Sequence, residues 1–486
     1  MHKNASLETK GWALGKSCKE MSVKLHNALH ARRLEKFFLA GILFVLLIGP
    51  WAETPADPQQ SVDPGIAGAL KQVSPAQIQS DVEKLVGFHT RSTLSAQDAA
   101  SIAAGRGIGA AREWIKSEFE RYSQECGGCL QVKTDSFIEQ PGDRIPQPIP
   151  ITNVYAVLQG TDAESAKRIV LVSGHYDSRN SNNADVTKDA PGANDDASGT
   201  AVSLECARVL SKLKFPATVI FLAVAGEEQG LNGSKHFAQM AKAEGWNIEA
   251  VLNNDIVGGD RNPGQNTDVV RVFSEGVPVA AGDADLRLIR NVGGESDSAS
   301  RELARYVSEV ARAYRPGVAP TLVFRLDRYL RGGDHFSFNQ HGYAAVRFTE
   351  YQEDYHHQHQ DVRTENGIEY GDLPKFVNFD YIAAVARLNA AALASLASAP
   401  APLARVHLLT KELQNDSTLT WESSPRTAGY EILWRDTTAP EWEHAQRVGN
   451  VTQTTVPVSK DNVIFAVRSV DNENHRSLPV VPVPER

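Results

Sequence analysis

Residues 168–178 read RIVLVSGHYDS, an apolar run that ends in a histidine and an aspartate. Two further apolar runs end in a similar way: VIFLAVAG is followed by Glu227 and Glu228, and AVLNN is followed by Asp255. Short apolar runs of this kind are typical of buried strands, and segments with a helical repeat lie between them. This alternation predicts an α/β fold in which a mixed, mostly parallel central sheet is flanked by helices.

Acidic and imidazole side chains follow the predicted strands. They are His175, Asp177, Asp195, Glu227, Glu228, Asp255 and His335, with Asp195 in PGANDDASG (191–199) and His335 in GGDHFSF (332–338). In open α/β sheets ligands bind beyond the carboxyl ends of the strands, so we expect these side chains at one edge of the sheet. Carboxylates gathered in one crevice repel each other and lose solvation, so they need cations beside them. A site for two divalent metal ions is therefore the first hypothesis.

Five short motifs occur in a fixed order: HxD, GAxDDxSG, GEE, a single aspartate, and DH before the last strands. In this order they resemble the zinc-dependent aminopeptidase family that includes bacterial leucyl aminopeptidases, glutamate carboxypeptidase and the transferrin receptor ectodomain. The resemblance covers residues 70–398 of the chain. It implies that the metals are two zinc ions and that the substrate is a peptide.

The resemblance also implies a role for each metal ligand. Asp195 would bridge the two zinc ions. One ion would also be bound by His175 and Asp255, and the other by Glu228 and His335. Two Zn²⁺ ions, three ligating carboxylates and a bridging hydroxide would together be neutral, which agrees with the need for cations in this crevice.

For the catalytic residues, the resemblance implies that Glu227 is the general base, which takes a proton from the zinc-activated water and passes it to the leaving amine. Asp177 would bond the far nitrogen of His175 and thereby fix the tautomer of the ring. In some relatives the position before the last ligand is a tyrosine that stabilises the oxyanion. Here it is Asp334, which leaves that task mainly to zinc, with Tyr329 as a candidate contributor.

We expect other histidines and arginines near these motifs to have structural roles and not to bind metal. The segment YHHQHQD (355–361) has the composition of a metal-binding tract, with His356, His357 and His359. Because the resemblance places the position of His357 outside the zinc shell, we expect this loop to line or brace the site. Arg325, Arg328 and Arg331 are interpreted as solvated charges, and contact with a substrate carboxylate is the alternative.

Residues 1–52 are interpreted as a signal peptide or N-terminal anchor region. A basic stretch precedes FFLAGILFVLLIG (37–49), which is shorter than the roughly 20 residues that span a membrane and which fits the apolar core of a signal peptide. If this segment is not cleaved, residues 37–52 would tether the chain to a membrane. In either case we expect an exported protein, periplasmic, secreted or membrane-anchored, with its catalytic domain outside the cytoplasm.

The cysteines fit an exported protein. In an oxidising compartment, the Cys-Gly-Gly-Cys segment from Cys126 to Cys129 favours a small disulfide that closes a loop after a predicted helix at 108–122. A zinc site made of thiolates would need a second such pair, which the chain does not have. Cys206 lies in an apolar helical stretch and is expected to be buried.

The chain divides into segments of different composition. Residues 53–65 are a proline-rich linker, 66–400 form the predicted zinc peptidase domain, and 401–486 read as short alternating strands that predict a small all-β sandwich. This last segment resembles a fibronectin type III module, which would act as a spacer or a contact surface. A net charge of -9 without a basic stripe argues against nucleic acid as a main partner, and the sequence leaves the oligomeric state open.

The leading interpretation is an exported aminopeptidase with two zinc ions. A glutaminyl cyclase on the same fold would use one zinc ion, and the presence of both His175 and Asp255 argues against it. A carboxypeptidase acting on acidic dipeptides is a further alternative, because arginines near the site could hold a carboxylate. A non-catalytic binding ectodomain would be expected to have lost ligands, and this chain retains all of them.

Overall fold

The computed structural model describes residues 60–486. The predictions for residues 1–52, and for most of the linker at 53–65, lie outside the described residues. Within the described part, the fold class is as predicted: a large mixed sheet with helices on both faces is followed by small β-sheets.

Eight strands form the central sheet in the order β1-β2-β4-β3-β5-β8-β6-β7. In chain order they are β1 (Leu130–Glu139), β2 (Ile149–Leu158), β3 (Arg168–His175), β4 (Thr218–Val224), β5 (Asn247–Asn254), β6 (Val269–Ser274), β7 (Ala319–Val323) and β8 (Ala345–Glu350). The central pairs β4-β3, β3-β5 and β5-β8 are parallel, whereas β1 and β2 add antiparallel pairs at one side. Every residue of β4 is buried, as expected for a strand covered on both faces.

Ten helices surround these strands. They are α1 (Pro64–Leu70), α2 (Pro75–Val86), α3 (Ala99–Ala103), α4 (Gly107–Glu125), α5 (Ala197–Leu210), α6 (Asn232–Ala243), α7 (Asp283–Val292), α8 (Ala299–Tyr314), α9 (Asp334–Gln340) and α10 (Phe379–Ser398) among the described residues. The larger part of the apolar core lies between the sheet and the helices α2, α4, α5 and α10. A smaller core, which includes Phe237 and Phe338, lies against α6 and α9 on the other face.

Helix α10 is long and apolar enough to cross a membrane, but 89% of the apolar stretch is buried inside the fold. It contacts α5, α8 and α2, so it is a core helix of the part that contains the central sheet. The structure also pairs Cys126 with Cys129 in a disulfide after α4 and buries Cys206, both as predicted.

A hairpin and two small sheets complete the fold. The hairpin joins β9 (Arg363–Glu365) to β10 (Ile368–Tyr370). The C-terminal strands are β11 (His407–Leu409), β12 (Ser417–Thr420), β13 (Gly429–Asp436), β14 (His444–Val448), β15 (Gln453–Val456), β16 (Val463–Val470) and β17 (Val483–Glu485). They form one sheet in the order β15-β12-β11-β17 and another in the order β14-β13-β16, with a separate aromatic core that contains Trp421 and Tyr430. The likeness to fibronectin type III remains a prediction.

The C-terminal sheets are fixed to helix α8 by buried charges. The guanidinium of Arg468, on β16, donates to both oxygens of Glu309 on α8, at 2.7 and 3.0 Å, and to Glu431 on β13 at 2.8 Å. The indole of Trp442 donates to Glu302 on the same helix at 2.8 Å. A loosely attached spacer would not bury ions in this way, so the sheets are a packed part of the described structure.

Replacing Arg468 with methionine is expected to lower the free energy of unfolding by about 3–5 kcal/mol, because Glu309 is left as a buried and unpaired carboxylate. The Arg468 side chain is 0% exposed and that of Glu309 is 4% exposed. Urea unfolding followed by tryptophan fluorescence measures the change. The matched control is Arg405→Met, which removes an exposed ion pair with Glu422 and should have little effect. Equal unfolding midpoints for the two variants would contradict the prediction.

Candidate metal centre

The carboxyl ends of the central parallel strands bring the predicted ligands together. His175 is the last residue of β3 and pairs in register with Val224, the last residue of β4. Glu227 and Glu228 follow β4 after a short turn, and Asp255 directly follows β5. Asp195 lies in the loop that leads into α5. The strand-end argument therefore places these residues correctly at one edge of the sheet.

Two groups of ligand atoms meet at this edge. In the first ligand group, Nε2 of His175 lies 3.2 Å from Oδ1 of Asp195 and 3.8 Å from Oδ1 of Asp255. In the second ligand group, Nε2 of His359 lies 2.8 Å from Oδ2 of Asp195 and 2.9 Å from Oε1 of Glu228. Asp195 belongs to both groups, with one oxygen in each. This is the arrangement of a carboxylate that bridges two cation sites.

The chemistry of the second group fits a metal ion. Glu228 Oε1 and His359 Nε2 are buried, and neither has a hydrogen-bond partner among the described residues. Both atoms nevertheless point to the same place, since they lie 2.9 Å apart. Leaving such groups buried without a partner is costly, whereas a bound cation would satisfy them together. Imidazole nitrogen and carboxylate oxygen are the donors that zinc uses in catalytic sites.

The structure brings His335 to neither ligand group, contrary to its predicted role as a zinc ligand. His335 is fully buried in α9, where its Nε2 donates to the carbonyl of Leu326 at 2.9 Å. Among the described residues, the carboxylate within ion-pair distance of its ring is that of Asp327, at 3.9 Å. Nε2 of His335 is therefore held by the loop before α9, whereas its buried Nδ1 has no hydrogen-bond partner among the described residues and belongs to neither ligand group.

The ligand position predicted for His335 is instead taken by His359, in the YHHQHQD loop. His359 lies in a turn with a φ angle of 57°, which points its ring at Asp195 and Glu228. The loop is expected to line or brace the site, and His357 has this position. Its Nδ1 lies 2.6 Å from Asp260 Oδ2, and its ring stacks on Phe376. One histidine of the loop is thus a candidate ligand, and its neighbour is a brace.

Asp177 holds residues of the metal centre in place through hydrogen bonds. Its two carboxylate oxygens accept hydrogen bonds from the backbone N–H groups of Glu227 at 3.3 Å and of Glu228 at 3.1 Å, and from Oγ1 of Thr93 at 2.9 Å. His175 Nδ1 donates to the backbone carbonyl of Asp177, at 3.2 Å, and the Asp177 carboxylate lies 3.5 Å from the same nitrogen. That bond places the ring proton on Nδ1 and leaves Nε2 free for a metal. Asp177 therefore orients both the ring and the Glu227–Glu228 turn.

Glu227 lines the same cavity as Asp195 and Glu228 but belongs to neither ligand group. Burial raises the pKa of Glu227 well above its usual value, and the nearby carboxylates of Asp255 and Glu228 add to the rise, although His175 opposes it. A carboxylate in such a place holds a proton readily. This is the property required of a general base that accepts a proton from a metal-bound water.

Residues that the sequence motifs did not reveal hold the bridging loop in place. Asp372 accepts hydrogen bonds from the backbone N–H groups of Asn194 at 2.8 Å and of Asp195 at 2.7 Å. Burial raises the pKa of Asp372 to about 7. Arg91 is fully buried and donates to the carbonyls of Pro191 at 2.6 Å and Gly192 at 2.9 Å. These contacts fix the backbone of residues 191–195 and thereby the position of Asp195.

Of the three arginines before α9, Arg325 is a solvated charge as interpreted, and Arg328 and Arg331 are not. Arg325 is exposed and donates to the hydroxyl of Tyr329, which is itself 79% exposed. Tyr329 does not line the cavity at the metal centre, so the structure gives no support to a contact between it and an oxyanion. Arg328 and Arg331, in contrast, line that cavity, and both donate to the buried carboxylate of Glu353.

Known proteins that resemble this chain are zinc metalloproteases, which agrees with the two ligand groups. The family described as Peptidase family M28 matches residues 153–376, a range that contains every residue of both ligand groups. A probable zinc metalloprotease of Pyrenophora teres f. teres is 44% identical over 432 residues, which are 87% of this chain and 88% of that protein. A probable zinc metalloprotease of Pyricularia oryzae is 46% identical over 435 residues, which are 87% of this chain and 86% of that protein.

Solved structures with a similar fold have much lower sequence identity. The LapA aminopeptidase of Legionella pneumophila is 19% identical, with a TM-score of 0.47, and the match covers 71% of this chain and 78% of that chain.

Proposed function

This chain belongs to peptidase family M28 and is a zinc metallopeptidase, and we propose that it is an exported aminopeptidase that holds two zinc ions. The observation that carries the proposal is the position of Asp195, which places one carboxylate oxygen in each of two adjacent ligand groups. The preference for the N-terminal peptide bond is supported by the resemblance of the ordered motifs to aminopeptidases.

The residues would divide the metal binding between them. His175 and Asp255 would complete the first site, Glu228 and His359 the second, and Asp195 would belong to both. When bound, zinc would supply a Lewis acid for the scissile carbonyl and would lower the pKa of a bound water.

The protein's own groups would then move the proton. Glu227 lines the cavity beside the ligand groups, and its carboxylate would accept the proton of the attacking water and later give it to the leaving amine. Asp177 would fix the position of Glu227 in the cavity, because its carboxylate accepts a hydrogen bond from the backbone N–H of that residue. Arg347 is fully buried and lies 2.9 Å from Oδ1 of Asp255, so it would fix the orientation of this ligand.

Export is proposed from two features. The basic and apolar segment up to residue 49 fits a signal peptide or an anchor. The disulfide between Cys126 and Cys129 supports the same location, because such bonds persist in oxidising compartments.

The function is tested with a panel of aminoacyl-p-nitroanilides and with matched substrates whose N-terminus is acetylated. We expect hydrolysis of the free substrates, complete loss of it after chelation, and recovery on addition of zinc. Metal analysis should find two zinc ions per chain. Cleavage of the acetylated substrates at equal rates would contradict an aminopeptidase. A single zinc ion, together with cyclisation of N-terminal glutamine, would favour the glutaminyl cyclase alternative.

A further inference from the structure

Three arginines converge on one glutamate beside the metal centre. Arg328 and Arg331 each donate to Oε2 of Glu353 at 2.8 Å, and Arg271 donates to Oε1 at 3.1 Å. The Glu353 side chain is 3% exposed. Burial alone would raise the pKa of Glu353, but the surrounding guanidinium groups hold it below its usual value. We refer to Arg271, Arg328, Arg331 and Glu353 as the arginine cluster.

The arginine cluster carries more positive than negative charge. One carboxylate balances one guanidinium, so Glu353 leaves two of its three arginines without a matching charge. Asp327 adds a second carboxylate, but it is shared between Arg328, at 3.1 Å, and Arg347, at 3.2 Å. The other carboxylate paired with Arg347 is that of Asp255, which the proposed function assigns to zinc. The side of the cavity that Arg328 and Arg331 line therefore carries an excess of positive charge, although the acidic ligand groups line the same cavity.

Arg331 is the member of the cluster that can reach a substrate. Arg328 uses its donors on Asp327, Glu353 and the carbonyl of Gly332. Within residues 60–486 the Arg331 side chain makes one hydrogen bond, from Nη1 to Glu353, and it is 32% exposed. It lines the same cavity as Asp195 and Glu227. Its remaining N–H groups can therefore donate to a group bound in that cavity.

We infer that Arg331 is a specificity-determining residue, which binds a carboxylate of the substrate and makes the enzyme favour peptides with an acidic residue next to the scissile bond. A paired guanidinium and carboxylate is stronger than a neutral hydrogen bond, and Glu353 holds the Arg331 side chain in place before substrate arrives. The inference rests on the proposed peptidase function. The apolar part of the same cavity, formed by Leu231, Ile256 and Leu330, accommodates the remainder of the substrate.

The test compares dipeptide amides that differ by one charge: Glu-Ala with Gln-Ala, and Ala-Glu with Ala-Gln. A third comparison, between free Gln-Ala and its amide, distinguishes a side-chain carboxylate from a C-terminal one. For one of the side-chain pairs we expect the acidic peptide to have about tenfold higher kcat/KM in the wild-type enzyme. Arg331→Gln should bring this ratio close to one. The matched control is Arg325→Gln, an exposed arginine of the same loop, which should keep the wild-type ratio.

A binding measurement separates this inference from the proposed function. Calorimetry with the Glu227→Gln variant should show tighter binding of the acidic peptide, and the difference should disappear when Arg331→Gln is added. Equal binding and turnover of charged and neutral peptides by the wild-type enzyme would overturn the inference, as would an unchanged ratio in Arg331→Gln. If the acidic peptide binds through Arg331 but no peptide is hydrolysed, the proposed function fails and the carboxylate subsite stands.

Discussion

Replacing Glu227 with glutamine is expected to lower kcat by about 10²–10⁴-fold while the zinc content stays unchanged. Glutamine has nearly the same shape as glutamate but cannot accept the proton of the attacking water. Glu227 lines the cavity and lies outside both ligand groups, so the change should leave the ligand atoms in place. Its backbone N–H donates to Asp177, and this bond does not depend on the side chain. Steady-state hydrolysis and metal analysis of the same preparation give both results.

The control for this substitution is Glu164→Gln, an exposed glutamate paired with Lys167 on the surface. It has the same change in charge, and it should keep both wild-type turnover and zinc. Undiminished hydrolysis by Glu227→Gln would remove Glu227 as the base. Loss of zinc from this variant would instead place Glu227 among the ligands, and the assignment of Glu228 would then need revision.

The sequence predicts those parts of the fold and the centre that depend on local patterns. A strand buried on both faces reads as a continuous apolar run, which is why β3 and β4 can be recognised. The polar residue that ends such a run must lie at the carboxyl edge of the sheet. This reasoning predicts His175 and Asp255, since each stands at or directly after the end of a parallel strand.

The last ligand could not be found by the same reasoning, because its position is set by a distant contact. The chain offers two histidine motifs, DH at 334–335 and HHQHQD at 356–361. The choice depends on how residues 351–376 fold back over the centre, where Asp372 binds the backbone of Asn194 and Asp195. This contact joins residues far apart in the chain, and no local repeat indicates it. The histidine-rich composition of the second motif was the one signal available.

Helix α8 shows a second limit of prediction from sequence. Its sequence, ASRELARYVSEVARAY, has the amphipathic pattern of a surface helix with a solvated charged face. In the structure residues 300–311 are all buried, because Arg435 and Arg468 of the C-terminal sheets provide partners for the acidic side chains near and on the helix. A charged face can be recognised in a sequence, but whether water or another part of the chain covers it depends on tertiary contacts.

Substitution of His359 should lower the zinc content of the protein, whereas substitution of His335 should leave it unchanged. His359→Asn is expected to lose one of the two proposed zinc ions and to lower kcat by more than about 100-fold, since removing even an indirect support of a ligand costs about 10–100-fold. Asparagine suits this position, because it tolerates the positive φ of 57° and lacks an atom that reaches the place of Nε2. Zinc per folded chain, measured after dialysis against a weak chelator, reports the loss.

His335→Gln is the matched variant for the other motif. The glutamine amide can donate to the carbonyl of Leu326, as His335 Nε2 does, so the loop before α9 should keep its anchor. We expect two zinc ions and nearly full turnover, with at most a lower melting temperature, because the ring fills a fully buried space beside Asp327. The opposite pattern, with zinc lost from His335→Gln and kept by His359→Asn, would mean that the loop at 351–376 does not close over the centre. Asp195 would then bridge a different pair of sites.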